Sequence, residues 1–485
     1  MKDAVMRLAR TPLTVLTCAA VAGCAVGPNY ARPSAPVSAT FKEAAGWSPA
    51  APADALERGD WWTLFGDPVL NGLMARVQVS NQNIIAAEAA YRQARALVSE
   101  QRAALFPTVN TSGSATRSGS GAGGSAIIVN PDGSTSGGSS GGTARNTYRV
   151  TLGASWAPDI WGRIRRTIEA SRANAQASAA DLAAARLAAQ GELAANYFSL
   201  REAEAEMALD QATVASYRRT VQISQNQYNA GIAPRSNLLQ AQTQLDNALA
   251  DLAGTQQTRA TYEHAIAMLV GEAPGNFSLA TAAWTSTVPE TPPGVPSTLL
   301  QRRPDIAAAE RRMAAANAQV GVQVAAYFPS LSLTGSYGFA STELGALISA
   351  PNALWSMGAS AAETLLDFGA RRARVTEARA AYDQAVAQYR QTVLTALQDV
   401  ENQLVATRVL AAQYDLRRDA SAAADAAEQM VTNRYQAGQV SFVDVVTAQA
   451  AAYAARRALA QATAQRQNTA VALIQSLGGG WRPAP

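Results

Sequence analysis

Apolar residues recur every seven positions from Leu70, at Val77, Ile84, Tyr91 and Val98, with Leu73, Ala87 and Ala94 beside them. This is the spacing of a helical packing seam, and its small residues let helix backbones approach closely. Phe106-Pro107 stops the pattern, because proline has no N–H to give to a helix. Beyond it the period falls to two: Tyr148, Val150, Leu152 and Trp156 alternate with Thr147, Arg149, Thr151 and Ser155. The same switch follows Phe328-Pro329, 222 residues on, where Leu331, Leu333, Tyr337 and Phe339 alternate with Ser330, Ser332, Thr334 and Ser336. Strands are predicted near 107–117, 146–157, 329–340 and 354–366, as two hairpins with one apolar, aromatic face and one small, polar face. Strands with lipid outside and water inside have this alternation, and so does a half-buried soluble sheet.

Long Ala-rich helical tracts open at Trp161-Gly162-Arg163 and Phe368-Gly369-Ala370 and reach Tyr228 and Tyr435. At 1.5 Å per residue each is roughly 100 Å of helix. The stretches Tyr228–Gln242 and Tyr435–Gln449 match at an offset of 207 residues, each with Tyr-x-Ala-Gly at its start and Ala-Gln at its end. Gly231 and Gly438 can each end a helix in the left-handed conformation, and Pro234 and Ser441 can start the next. Both stretches read as helical hairpin tips. The first return runs from Arg235 to Leu269, followed by a Pro/Gly-rich interlude at 271–296 and a further helix from Ser297 to Phe328. The second, Phe442 to Leu477, would stack on a helix from Leu70 to Leu105. The halves are therefore a duplication, 70–270 and 298–477, joined by a linker at 271–297. Their offset drops from 222 to 207 because the first hairpin carries a longer Gly/Ser-rich tract between Ser112 and Thr143, read as loop.

Residues 1–23 form a secretory signal: basic Lys2, Arg7 and Arg10, then an apolar run from Leu13 to Ala22. Val21-Ala22-Gly23-Cys24 looks like a bacterial lipobox, which would leave the Cys24 thiol to carry a lipid anchor. A plain signal peptide cut nearby is the other reading. This signal tilts the strand pattern toward the lipid-facing version. Residues 24–69 read as an extended arm, with Gly27-Pro28-Asn29-Tyr30 and Trp61-Trp62, and 478–485 as a tail. No apolar run is long enough for a membrane helix. The net charge of +4 falls to +2 without the signal, which argues against nucleic acid as partner.

The residue inventory counts against an enzyme. One histidine, His264, and one mature cysteine cannot build a His-based triad, a Cys/His dyad or a multi-ligand zinc site. No Gly-rich phosphate loop follows a strand, and no acid pair stands out, so no catalytic, cofactor or metal residue is assigned. His264 sits at helical spacing among Tyr262, Ile266 and Leu269, where packing is the expected role. Arg302, Arg303 and Asp305 flank Pro304 at a helix start, where capping and ion pairing are expected. A structural periplasmic coiled-coil lipoprotein is an alternative that leaves the four alternating strands unexplained.

In order and at these spacings, Cys24 through Tyr30, Trp61-Trp62, Phe65-Gly66-Asp67-Pro68, Trp161-Gly162-Arg163, Tyr262-Glu263-His264-Ala265, Gln301 through Ile306 and the two tips resemble the outer-membrane factors, the TolC/OprM-type channels of tripartite efflux systems. The resemblance implies an α+β membrane protein: a homotrimer with a twelve-stranded outer-membrane β-barrel, four strands per chain, continuous with a twelve-helix periplasmic α-barrel. It implies passive conduction of drugs or other small molecules, a periplasmic membrane-fusion adaptor, an inner-membrane resistance-nodulation-division pump, contact with outer-membrane lipid and no cofactor. Protein secretion of type I through the same architecture is the alternative. The tips would dock the adaptor through Gly231, Ile232, Ala233, Gly438, Gln439, Val440 and Ser441. Asp444 matches an acidic position in the closed periplasmic aperture and Val440 the position one turn earlier. Thr447 stands where a second carboxylate can occur, and the first copy has Asn237 in place of Asp444. Asp444 also follows Ser441 by three residues, the spacing of a capping box, so a local cap and a gate both fit.

Overall fold

The structure, a computed structural model, describes residues 25–35, 40–43, 60–119, 126–129, 135–138, 144–289 and 303–479. The signal segment, Cys24, Gln301, Arg302 and Trp481 lie outside them. The helices are α1 (Pro68–Ser80), α2 (Gln82–Ala103), α3 (Arg163–Asn229), α4 (Arg235–Leu269), α5 (Pro304–Ala325), α6 (Ala370–Gln436) and α7 (Phe442–Ser476). The strands are β1 (Thr108–Ser118), β2 (Ala126–Val129), β3 (Thr135–Gly138), β4 (Arg145–Trp156), β5 (Ser330–Ser341) and β6 (Ala353–Ala362). Two compact units divide the chain, and the long helices contribute to both.

One unit, within 25–31, 95–173 and 314–384, holds an antiparallel sheet in the order β1-β4-β5-β6. The register pairs Val150 with Phe339, Leu152 with Tyr337, Trp156 with Leu333 and Tyr337 with Trp355. Directly opposed residues share a face, so the apolar positions of β4 and β5, with Trp355 and Met357 of β6, fall on one side, and Leu354, opposite Gly338, is an exception. Thr151, Ser155, Thr334 and Ser356 fall on the other. The apolar side is not covered: Leu152 is 53%, Tyr337 52%, Trp355 75% and Met357 85% exposed. A soluble half-buried sheet would bury these side chains. β1 lies within one residue of the predicted 107–117 and runs in register with β4, while within the Gly/Ser tract read as loop β2 pairs with β3 as a small ribbon. β6 stops at Ala362, short of the expected 366.

The other unit, within 32–94, 174–313 and 385–479, holds the largest core. Trp61, Trp62, Phe65, Leu70, Met74 and Val77 bury against Leu193, Tyr197, Phe198, Ile266 and Ile474. The 3-10 turn Trp61–Phe65 is thus folded into this core and is not extended arm. The seam from Leu70 is two helices rather than one. Asn81, extended at φ −67° and ψ 122°, interrupts it. Its Oδ1 accepts from the N–H groups of Asn83 and Ile84, and its Nδ2 donates to the Leu269 carbonyl at 2.8 Å. Side-chain caps thus replace the lost helical bonds, and Leu70, Val77 and Ile84 remain buried across the break. α5 spans Pro304–Ala325, and the expected start at Ser297 lies outside the described residues. Arg303 pairs with Asp305 at 2.7 Å and Asp399 at 3.3 Å, the ion pairing expected at this helix start.

Candidate functional site

Both tips close by the same backbone logic. Gly231 and Gly438 take φ of +75° and +73°, which only glycine adopts without steric cost. Their N–H groups donate to the Tyr228 and Tyr435 carbonyls, and the next N–H groups reach back to Gln227 and Arg434, all at 2.9 Å. Phe442, Val446 and Ala241 are buried together with Tyr435 and Val221 packed against them, so the two tips lie side by side. Tyr435 and Phe442 meet at 5.9 Å between ring centres. Ile232 and Val443 stand out into solvent, as do Gly231, Gly438, Gln439 and Ser441. Val440 and Ala233 are half-buried.

The helix starts differ. Pro234 offers α4 no side-chain cap, whereas Ser441 and Asp444 form a reciprocal capping box at α7. Asp444 Oδ2 accepts from the Ser441 N–H at 2.8 Å and from its hydroxyl at 2.7 Å. These bonds, the hydroxyl's first and the backbone's next, hold the exposed Asp444 carboxyl below the usual carboxylate range. Asp444 therefore carries a full negative charge at neutral pH.

Above the tips, α7 is tied to its neighbours. Tyr453 donates to Asp210 Oδ1 at 2.5 Å, and Thr255 of α4 donates to Oδ2 at 2.7 Å, so a carboxylate only 2% exposed holds three helices. Arg457 and Gln461 both reach Glu206 at 3.0 Å. Arg456 pairs with Asp425 and Glu428 of α6, each at 2.8 Å. The local sequence pattern gave no signal for these contacts, which join residues 28 to 255 positions apart.

The Phe65–Pro68 and Tyr262–Ala265 motifs brace the core. Asp67 caps α1 through Oδ1 and accepts from Tyr197 through Oδ2 at 2.6 Å, and Gly66 turns the chain at φ +68°. Glu263 accepts from the Leu279 N–H at 2.7 Å and pairs with Arg259, locking the interlude to α4. His264, by contrast, is exposed on α4 and does not take the packing role expected of it.

In the sheet-bearing unit, the segment 25–30 is clamped. The Val26 N–H donates to the Trp161 carbonyl at 3.1 Å. Arg166, 5% exposed, donates to the carbonyls of Val26 and Gly27, to Asn29 Oδ1 at 2.9 Å and to Glu169 at 2.8 Å. Gly27 sits at φ +103°, and a Cβ there would lie 2.5 Å from the Gly321 Cα. Asn317 donates to the Pro28 carbonyl, and Tyr30 packs on Ala173, Ala314 and Ala315. Sequence reading found the Gly27-Pro28-Asn29-Tyr30 motif but not Arg166, its buried counterpart. Among the described residues no cluster of His, Cys, Asp or Glu could hold a metal ion, and no helix is long and apolar enough to cross a membrane.

Comparison with known proteins places this geometry. The sequence model of the outer membrane efflux protein family matches residues 73–272 and 295–479. The chain is 29% identical over 463 residues to the probable efflux pump outer membrane protein TtgC of Pseudomonas putida, covering 95% of this chain and 93% of the relative. It is 29% identical over 465 residues to the cation efflux system protein CusC of Escherichia coli, covering 96% and 97%. The solved outer-membrane channel OprN superposes with a TM-score of 0.84 at 30% identity, covering 95% of this chain and all of that one.

Proposed function

Because the chain belongs to the outer membrane efflux protein family and serves as a non-enzymatic outer-membrane channel of an efflux pump, we propose that three copies close one conduit, gated at the helical tips. The observation that carries this reading is the sheet. Its apolar face is exposed, and β1 and β6 lie at its two edges, one side of each unpaired among the described strands. An open edge in lipid leaves N–H and C=O groups without partners, so membrane strands must close into a barrel. Four strands from each of three copies would form a barrel of twelve. The helices would continue as the periplasmic duct toward an adaptor and an inner-membrane pump of the resistance-nodulation-division class. Cargo would be drugs or other small molecules, conducted passively. Heat-modifiable migration in SDS with trimer-sized particles, together with conductance in planar bilayers, tests this. A monomer without conductance overturns it.

At the periplasmic end, Asp444 and Val440 are the candidate gate, and Gly231, Ile232, Ala233, Gly438, Gln439, Val440 and Ser441 the adaptor contact. Support comes from the exposure of the Asp444 carboxylate and its charge at neutral pH. Three such carboxylates near one axis would favour cations and repel one another. Asp444→Ala should raise ion conductance and susceptibility to large antibiotics. Unchanged conductance in a normally folded trimer would reduce Asp444 to the cap of α7. The anchor would be an acylated Cys24, directly ahead of the clamped Ala25–Tyr30 segment. Metabolic palmitate labelling lost in Cys24→Ser tests that assignment.

A further inference from the structure

The duplication turns contacts inside one chain into a description of contacts between chains. Long helix α3 and return helix α4 form the first copy, and α6 and α7 the second, each offset by 207 residues. Within the chain, α3 of the first copy packs antiparallel on α7 of the second. Its register is fixed by Asp210 with Tyr453, Glu206 with Arg457, Ser216 with Gln449, and the Leu187 carbonyl with Gln475. If copies of the repeat follow one another around a ring, the next seam is the same seam moved by one repeat. It joins α6 of one chain to α4 of the following chain.

Moved by 207 residues, Glu206 with Arg457 and Ser216 with Gln449 become the neutral pairs Gln413 with Ala250 and Ala423 with Gln242, and the other two contacts make the pairing specific. Asp210 and Tyr453 become Arg417 and Asp246, which carry opposite charges. Both are exposed, and neither has a hydrogen bond or ion pair among the described residues. Leu187 and Gln475 become Leu394 and Met268, two large apolar residues that are 45% and 60% exposed. A buried polar contact and a helix-to-carbonyl contact are thus replaced at equivalent positions by a complementary charge pair and an apolar pair. Asp246 and Arg417 have no polar partner among the described residues, and Leu394 and Met268 are open to solvent.

We infer that α4 and α6 form the surface that takes a second copy of this chain, in the antiparallel register that sets Asp246 against Arg417 and Met268 against Leu394. This rests on the ring-shaped oligomer proposed above and adds its register. The charge pair is the selective element, because it discriminates against a slipped register that would leave one charge facing apolar surface. The apolar pair, 22 residues or about 33 Å farther along α4 and beside Ile266 and Leu269 of the core of Trp61 and Leu193, supplies burial.

The test uses full-length protein purified in detergent. Asp246→Arg and Arg417→Asp each place like charges across the seam and should shorten the trimer's half-life in SDS, roughly two- to five-fold for a rim pair. The double variant restores opposite charges and should recover the half-life. Both positions are exposed, so neither change disturbs folding of the chain itself. Cysteines at 246 and 417 should also give covalently linked copies on oxidation, and cysteines at 268 and 394 likewise. A stable trimer in which the double variant is no better than either single one, and in which neither cysteine pair links copies, overturns the register while leaving the trimer intact. Absence of any oligomer in the unmodified protein overturns the ring itself.

Discussion

Tyr453→Phe isolates the bond that holds α7 on α3. The change keeps the ring and removes only the hydroxyl that donates to Asp210 at 2.5 Å. Burial first, and the Asp210 carboxylate next, push the Tyr453 phenol well above its ordinary range, so it keeps its proton and acts as donor at all physiological pH values. Asp210 is 2% exposed, and water cannot replace the lost donor unless the helices part. Thr255 then remains its one side-chain donor. A hydrogen bond to a charged group contributes ~1.5–3 kcal/mol net, so a loss of ~2 kcal/mol corresponds to roughly 30-fold more frequent local opening. Amide hydrogen exchange of the full-length protein reads this directly: α7 around 449–457 and α3 around 206–214 should exchange faster by that factor, with the sheet unchanged. Thr255→Val combined with Tyr453→Phe should exceed the sum of the single effects, because the carboxylate would then have no side-chain donor. Unaltered exchange at both helices in Tyr453→Phe would refute the view that this bond secures the seam. As α7 leads back from Asp444, a loosened seam should also raise channel open probability in bilayers.

Other perturbations follow from the same geometry. Gly271→Ala would set a Cβ 2.4 Å from the Ser80 carbonyl oxygen at φ +74° and should lower the thermal midpoint, whereas Gly254→Ala, with nothing within 4 Å, should stabilise α4 by about 1 kcal/mol. Gly338→Ala would drive a Cβ to 2.2 Å from the Val150 carbonyl oxygen in the β4–β5 pairing and should abolish the heat-resistant trimer. Burial, then Glu206, raise the Glu202 carboxyl from 4.5 to about 7, against the pull of Arg457. The folded state then holds a proton that the unfolded chain releases, so stability is greatest below 4.5 and is lost as pH rises through about 7; Glu202→Gln should flatten that slope in thermal melts. Gly27→Ala and Arg166→Ala should each release the Ala25–Tyr30 segment, seen as loss of exchange protection at the Val26 amide, while Cys24→Ser should leave it protected.

What the sequence made legible was local or periodic. Alternation along β4 and β5 set their faces, and every face assignment survived because a strand's side chains alternate without regard to its partner. The tips followed from Gly231 and Gly438, whose positive φ no other residue shares cheaply. What escaped depends on distant partners. Asn81 breaks the seam because it reaches the Leu269 carbonyl, 188 residues away. The β2–β3 ribbon inside the Gly/Ser tract escapes because its strands are only four residues long and depend on each other's edge. Trp61 and Trp62 fold into a core assembled mainly from α3, α4 and α7, which no reading of the arm alone could supply. Tyr453 and Asp210 lie 243 residues apart on helices whose surfaces look ordinary.

The two copies of the repeat agree most closely where backbone geometry is demanding and diverge where charge is placed. Gly162, Gly231 and Gly271 have positive φ, and so do Gly369, Gly438 and Gly478, each 207 residues on. The copies need these turns equally. Charge repeats less: Arg165 and Arg172 recur as Arg372 and Arg379, but the charges near the tips do not. Arg456 ties α7 to Asp425 and Glu428 of α6, but the equivalent positions in the first copy are Leu249, Arg218 and Val221, which cannot form that bridge. Asp444 completes its capping box, while Asn237 stands after an uncapped Pro234. The second hairpin is therefore internally braced by ion pairs and starts α7 with a fixed carboxylate. Near its tip the first is held by apolar contacts among Val214, Tyr217 and Ala248, its Arg259–Glu204 ion pair and Thr255–Asp210 bond lying farther from the turn. Interactions between charges weaken with salt, whereas apolar packing does not. Raising ionic strength should therefore loosen the second tip selectively, with amide exchange rising in 425–456 before 218–249. Equal loosening of both would mean that the bridge at Arg456 contributes nothing to the difference between the tips.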